Sequence, residues 1–441
     1  MNIKQKIIRY SVGPLGAAII SLITIPLIAW FYSVDDVAKF SIFQSIIILY
    51  SLVLCLGLDQ AFIREYYDSN DKASLLKNIF IGALLPSLLF LSITFVFFRE
   101  TILLFLYDEY SIKLYLLTIF SCFFTLAIKM ISAIQRVQEQ ALLFSLSQLL
   151  PKVIFLLLIL IFLKMGSAKF ENILWAQFLS VFFVFVYFLV INWRSFKESI
   201  RSNINTSNIK KYYAFGFPLI LTGAVIWGLK LADRFYLKIF SDLKQLGLYA
   251  MAISIASGVA IFSGIFNTIW SPLVYKWVND TDIYDDSISK KVGVISYKVS
   301  LCILAVIVFL VFSSKLIVKV LPFNYNDIYL IIPLCAISPL LYTLSEVTGI
   351  GINLMKKTKY TLWSCFLAII VHIILSLLLI PELGAMGAAI AGAISFYVFF
   401  LIRTIFSNYI WINCDLRKTY IVSFLSLCIS LTPVVFWVCN I

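Results

Sequence analysis

About a dozen apolar stretches of roughly twenty residues, separated by short polar links, run the length of this 441-residue chain. A helix of that length spans the hydrocarbon of a bilayer, where only helices and closed barrels satisfy their own backbone. Hydrophobic residues make up 62% and charged residues 13%, more apolar surface than a water-soluble domain can hide. The pattern predicts an all-α integral membrane protein. Helices are expected at about 10–32, 40–58, 78–98, 112–134, 142–164 and 172–192, then at about 214–236, 248–275, 292–313, 327–352, 361–380 and 386–404. A last apolar run, 420–439, is long enough for a thirteenth. Lys4, Lys6 and Arg9 resemble the charged start of a signal peptide. The apolar run behind them lacks a small-residue cleavage site, so it is read as the first span.

A net charge of +13 could speak for nucleic acid, but its distribution speaks for membrane orientation. With the N-terminus inside, the inner links and ends outweigh the outer links in Lys and Arg by about two to one. The inner set includes Arg64, Lys72, Lys77, Lys129, Arg136, Arg194, Lys197, Arg201 and Arg403. The polar link 193–213 is the longest on the inner side. It divides the chain into a six-helix bundle over 1–192 and another over 214–406, with 407–441 as an inner link and an extra helix. The halves echo each other. Tyr10-Ser-Val-Gly-Pro-Leu15 matches Tyr213-Ala-Phe-Gly-Phe-Pro-Leu219, and Val37-Ala-Lys-Phe-Ser-Ile-Phe-Gln-Ser-Ile46 matches Leu246-Gly-Leu-Tyr-Ala-Met-Ala-Ile-Ser-Ile255. Six spans per half make the repeat parallel, with two pseudo-symmetric bundles expected around a central cavity.

No Gly-x-x-x-x-Gly-Lys-[Ser/Thr] loop is present, so transport would draw on an ion gradient, the membrane potential or another chain. One histidine, His372, leaves little room for histidine catalysis or a metal site, and neither a metal nor a cofactor is expected. The eight cysteines lie in or beside apolar runs without a Cys-x-x-Cys and read as small core residues. No outer link is long enough to carry an extracytoplasmic active site, so the chain is not expected to be an enzyme.

Ionisable residues inside spans are costly and usually face a cavity. Lys152 lies mid-span, directly after Pro151. Lys230, Asp233 and Arg234 fall at i, i+3 and i+4 of the seventh helix, hence on one helical face. Glu346 lies in the tenth span. His372, between Val371 and Ile373, reads as a hydrogen-bonded core histidine rather than a proton site. Deep cations outnumber deep anions, which favours an anionic cargo over a cationic drug.

The stretch Gly57-Leu-Asp-Gln-Ala-Phe-Ile-Arg-Glu-Tyr-Tyr67 resembles the segment with which O-antigen translocases, of the multidrug/oligosaccharidyl-lipid/polysaccharide exporter superfamily, end their second helix at the cytoplasm. Two further segments are similar to that family: Trp227 with Asp233-Arg234-Phe235 and Gly247-Leu-Tyr-Ala250, and Pro381-Glu-Leu-Gly-Ala-Met-Gly-Ala-Ala389. Span number and link length agree over nearly the whole chain, except that the run 420–439 exceeds the family's twelve helices.

The resemblance implies a flippase in the bacterial inner membrane. It would move undecaprenyl-pyrophosphate-linked repeat units of O-antigen, for lipopolysaccharide or a related surface polysaccharide, to the periplasmic leaflet by alternating access. The lipid-linked oligosaccharide and membrane lipids would be its partners, with a polysaccharide polymerase and a chain-length regulator as further candidates and no nucleic acid. Lys152, Lys230, Arg234 and Arg64 would meet the pyrophosphate. Asp59, Glu65, Asp233 and Glu346 would serve gating or ion coupling. The rival readings are an ion-coupled drug or metabolite antiporter of the same superfamily, a membrane polysaccharide polymerase, and a non-transporting scaffold.

Overall fold

The computed structural model describes residues 3–166, 168–204, 206–280 and 285–439, and among them there is helix and no strand. The chain forms two compact units, Met1–Thr24 with Lys39–Ala224, and Ile25–Ala38 with Val225–Ile441. In order the first helices are α1 (Ile3–Phe31), α2 (Val34–Val53), α3 (Leu58–Glu65), α4 (Lys72–Phe97), α5 (Arg99–Tyr107), α6 (Ile112–Val137), α7 (Ala141–Lys164), α8 (Phe170–Ile191), α9 (Trp193–Arg201) and α10 (Thr206–Leu231). Then come α11 (Asp233–Phe240), α12 (Leu243–Asp280), α13 (Asp286–Val318), a 3-10 helix (Phe323–Leu330), α14 (Ile332–Thr348), α15 (Ile350–Leu354), α16 (Lys359–Leu383), α17 (Ala385–Ile410) and α18 (Arg417–Cys439). Among the described residues twelve helices are long and apolar enough to cross a membrane. The 3-10 helix and α14 together are also long and apolar enough but are bent by 51°, the shape of a broken span or a re-entrant loop. The run expected at 420–439 is α18, itself of spanning length. The side chains of Lys4, Lys6 and Arg9 lie outside the described part.

The outward faces of these helices are built for lipid. Phe309, Phe312 and Leu316 on α13, and Leu85, Leu89 and Ile93 on α4, are exposed, an arrangement that water would penalise and hydrocarbon does not. Cys302 and Cys428 share that exposure, so these two are not the core residues expected. Cys55, Cys122, Cys335, Cys365 and Cys414 are buried and free. On the inward faces, buried Ser and Thr hydroxyls return to their own helix. Ser121 donates to the Leu117 carbonyl, Ser395 to Ala391 and Thr404 to Phe400, which disposes of a polar group at no cost to packing.

Small residues set how closely these helices approach. The glycines of the repeated opening segment both mark close contacts. A Cβ on Gly13 would collide with the Ser145 backbone, and one on Gly216 would collide with the Leu56 carbonyl oxygen. The facing Gly57 has φ +66 and starts α3, a left-handed conformation that costs glycine least. Here the sequence expectation of one helix over 40–58 fails, because the chain turns between Val53 and Leu58. Gly216→Val should therefore force α10 off α3. The expected cost is about 1–3 kcal/mol or more, read as a lower melting temperature by size exclusion after heating in detergent, while Phe217→Val, on an exposed neighbour, should change little.

The short helix α9 follows span α8. Trp193 and Ile200 are exposed on it beside Arg194, which pairs with Glu198 at 3.1 Å. Lys77 Nζ donates to the Ile200 and Ser202 carbonyls at 2.9 and 2.6 Å, capping the helix where its carbonyls lack partners. Basic residues beside exposed apolar ones are the pattern of a helix lying in a membrane interface.

Candidate functional site

The expected face Lys230, Asp233, Arg234 does not lie on one continuous helix. The helix breaks at Ala232, so that α10 ends at Leu231 and α11 begins at Asp233. The break points Asp233 inward, where it is 3% exposed. Its Oδ2 accepts a 2.5 Å hydrogen bond from the Tyr249 hydroxyl on α12, and its Oδ1 lies 3.0 Å from Nε2 of His372 on α16. Asp233 and Tyr249, from the two parts of the second family-like segment, thus meet in space. His372 is fully buried and sits roughly 17–20 Å along α16 from either helix end at about 1.5 Å per residue. The pair therefore lies at membrane depth, where an isolated charge is expensive.

A cavity of about 370 Å³ opens beside Asp233 within the same unit, lined by Lys230, Tyr249, Ser257, Ser263, Ser338 and Tyr342 among others. That volume falls in the range of about 300–1,000 Å³ typical of ligand pockets. Lys230 forms no ion pair with Asp233. Its ammonium lies over the ring of Tyr342, 4.5 Å from the centroid, a cation–π contact. Tyr342 stacks on Phe399 with centroids 6.0 Å apart, and its hydroxyl hydrogen-bonds Glu346. Glu346 in turn accepts from Arg403 Nη1 at 2.6 Å, and Ser345 Oγ accepts from the same nitrogen at 3.2 Å. The order Lys230–Tyr342–Glu346–Arg403 runs cation, ring, carboxylate, cation. Both carboxylates are thus already engaged, and Lys230 is the cation left facing the cavity without a carboxylate within 4 Å among the described residues.

Arg403 departs from its expected place on an inner link. It is 3% exposed inside α17, packed where a Cβ on Gly349 would come within 2.9 Å of its Nε. Sequence reading misses it because it follows the apolar run of α17 as a juxtamembrane arginine would. A signal is there: Glu346 needs a buried counter-charge. His372 and Tyr249 are also absent from the expected site, and Tyr249 carries a signal in lying within the family-like segment.

Of the remaining expected residues, Asp59, Arg64, Glu65 and Lys152 belong to the other unit. Asp59 accepts from Gln60 at 2.8 Å and from the Cys55 thiol at 3.3 Å. The Arg64 guanidinium lies over Phe215, 4.6 Å from the ring centroid, and Glu65 pairs with Lys211 at 2.6 Å. These bonds tie α3 to the start of α10 beside the Gly57–Gly216 contact, so Arg64 engages a ring rather than Asp59 or Glu65. Lys152 is half-buried on α7 and makes no ion pair among the described residues. Arg234 follows Asp233 and is partly buried. Among the described residues no cluster of His, Cys, Asp and Glu is arranged to hold a metal.

A family model described as polysaccharide biosynthesis protein matches residues 3–276. No curated protein matches the chain by sequence. Solved structures share its fold. The lipid II flippase MurJ in an inward closed conformation is similar with a TM-score of 0.73 at 16% identity, over 98% of this chain and 93% of that one. An inward-facing multidrug resistance MATE family transporter of the MOP superfamily gives 0.66 at 13% identity, over 91% and 94%. The MATE multidrug transporter DinF-BH gives 0.66 at 16% identity, over 95% and 96%. At these identities the likeness is one of fold.

Proposed function

The chain belongs to the polysaccharide biosynthesis protein family, and we propose that it is a flippase moving undecaprenyl-pyrophosphate-linked repeat units of O-antigen or a related surface polysaccharide from the cytoplasmic to the periplasmic leaflet by alternating access. The observation that carries this reading is Lys230, a cation facing a largely apolar cavity at membrane depth that also presents the hydroxyls of Ser257, Ser263, Ser338, Tyr249 and Tyr342, while the neighbouring carboxylates are engaged by other side chains. A pyrophosphate needs such a counter-charge to leave water. Serine and tyrosine hydroxyls are the groups that exchange hydrogen bonds with sugars, and a polyprenyl chain can stay among the exposed apolar faces. Lys152 and Arg64 would meet the same anion along its path, with Arg234 supporting from beside Asp233. Asp59, Glu65 and Glu346 would serve gating. Lys230 speaks against a cation-drug antiporter, which would want an unengaged carboxylate at that point.

The test uses proteoliposomes carrying an undecaprenyl-pyrophosphate oligosaccharide with a fluorescent sugar. Dithionite added outside bleaches the outer leaflet alone. The protein is expected to expose the protected inner pool to bleaching, and a pool that stays protected under both a pH gradient and a membrane potential would refute the reading.

Orientation follows from the charge pattern. We place the N-terminus and the link 193–213 in the cytoplasm of the bacterial inner membrane, and the link after α11 outside. In a cysteine-free background, a membrane-impermeant maleimide applied to intact spheroplasts should label Lys244→Cys and spare Asn203→Cys. The opposite labelling reverses the topology.

A further inference from the structure

We propose that a second cavity, at the end of the second unit where the charge pattern puts the outside, is a carbohydrate subsite that takes a neutral or amino sugar of the cargo and turns away a sugar acid. This deepens the flippase reading by naming the class of sugar, and it rests on that reading for where the sugar comes from. Its chemistry stands without it.

The cavity holds about 400 Å³ and is lined by Asp242, Gln245, Asp327, Glu382 and Trp437 among others, a volume within the range of about 300–1,000 Å³ of ligand pockets. Four segments meet there: the link from α11 to α12, the 3-10 helix, the turn from α16 to α17, and the last part of α18. Residues 381–386, which open the third family-like segment, line it, and Trp437 comes from the run 420–439 that exceeds the family's twelve helices. The turn between α16 and α17 is made by Gly384 at φ +52 and ψ −124, a conformation open to glycine. A Cβ there would fall 2.7 Å from Gln245 Oε1. That oxygen accepts the Ala385 N–H at 3.1 Å. Gln245 thus commits its carbonyl to the turn, and its amide N–H groups remain as donors at the cavity wall.

Three carboxylates line the cavity and, among the described residues, no Lys or Arg does, in a chain whose net charge is +13. Asp242 uses Oδ1 to cap α12 through the Gln245 backbone N–H at 2.7 Å, while Asp327 and Glu382 are exposed. Carboxylates drawn tightly together would suit a metal ion, but among the described residues no such group is arranged to hold one. Spaced around an open cavity, they are acceptors for the hydroxyls of a ring, and ionised acceptors make the stronger hydrogen bonds. Trp437, 39% exposed, offers an indole whose face carries partial negative charge, a surface that meets the C–H face of a pyranose. The ammonium of an amino sugar gains from both, and the carboxylate of a sugar acid is repelled by three like charges. The cavity also adjoins that of Lys230 along the same helices. Ala385 lines one and Ala389 the other, about 6 Å apart on α17 at about 1.5 Å per residue, and Leu248 and Tyr249 divide in the same way on α12. An oligosaccharide whose pyrophosphate sits at Lys230 can therefore place a sugar here as it leaves.

The test uses the whole protein in lipid nanodiscs, free of sugar-headed detergent. Lactose, the disaccharide of glucosamine and the disaccharide of galacturonic acid are added in turn, and saturation-transfer NMR reads which sugar touches the protein. Lactose and the glucosamine disaccharide are expected to receive saturation, the latter at lower concentration, and the galacturonic acid disaccharide none. Trp437→Ala should weaken lactose binding about three- to tenfold, the worth of one ring face. Asp327→Asn combined with Glu382→Gln should abolish the preference for the amine, since it removes charge and keeps shape. Both carboxylates are exposed, so this double variant decides the matter if Trp437→Ala does not fold. No transfer to lactose or to the glucosamine disaccharide overturns the proposal. So does a galacturonic acid disaccharide bound as well as they are, or a set of variants that bind as the wild type does. Binding of calcium without any sugar, read by calorimetry, also overturns it, since the cavity would then be a cation site. Sugar bound by a protein that flips no lipid sinks the flippase reading alone. Lipid flipped by a protein that binds no sugar sinks the subsite alone.

Discussion

Lys230→Glu should abolish flipping of the pyrophosphate-linked oligosaccharide in proteoliposomes while leaving the protein folded. The reason is the sign of the charge at the cavity wall. In the wild type the ammonium lies over Tyr342 and meets no carboxylate within 4 Å among the described residues, so it can take a pyrophosphate oxygen without first breaking an ion pair. A hydrogen bond to a charged partner is worth about 1.5–3 kcal/mol. Lys230→Ala should therefore slow flipping by roughly ten- to hundredfold, at about 1.4 kcal/mol per factor of ten. Lys230→Arg keeps the charge and can stack on the same ring, but its head is larger and planar, so partial activity is expected. The glutamate adds repulsion, against both the cargo and Asp233. Lys152, also at membrane depth, should follow the same order, with Lys152→Glu worse than Lys152→Ala and Lys152→Arg best. If Lys230→Glu flips lipid at the wild-type rate, the pyrophosphate does not pass this cavity.

The spans were legible because hydrocarbon thickness fixes their length and few residues tolerate it. Every expected apolar run is helical, including 420–439 as α18. Their interruptions were not legible. The turns at Gly57 and Ile331 have apolar neighbours on both sides, and window hydropathy passes over them as it does over the break at Ala232, where the charged step Asp233-Arg234 is short against the window. Gly57 and the Asp233-Arg234 step were visible as residues but not as breaks. The charged groups were found one by one, yet their partners were not. Asp233 is expected beside Lys230, on one face of one helix. It bonds instead to Tyr249 and meets His372, 139 positions away. Pairing at such separation is decided by packing, and a single sequence carries no record of it. Arg403 shows the same limit from the other side. Its composition context is that of a helix end, and only burial against Glu346 reveals its role.

Breaking the Glu346–Arg403 pair should destabilise the protein strongly and unequally. Arg403 Nη1 lies 2.6 Å from Glu346 Oε1, with side-chain exposures of 4% for the arginine and 20% for the glutamate. Removing one partner of a buried pair costs about 3–5 kcal/mol because the other charge is left in a poor solvent. In Glu346→Leu the charge left behind is a guanidinium, which does not give up its proton in proteins and retains, among the described residues, the Ser345 hydroxyl at 3.2 Å and the face of Phe399 at 5.7 Å from the ring centroid. In Arg403→Leu the group left behind is a carboxylate that is partly exposed and can bind a proton, becoming neutral. Glu346→Leu should thus lower the melting temperature in detergent well below that of Arg403→Leu. The double variant should recover most of the loss, since two apolar side chains need no counter-charge. Transport should not recover with it, because Glu346 also holds the Tyr342 hydroxyl and so steadies the ring on which Lys230 rests. Equal destabilisation by the two single variants, or a double variant as unstable as Glu346→Leu, would mean that the pair is not the term that holds α14 to α17.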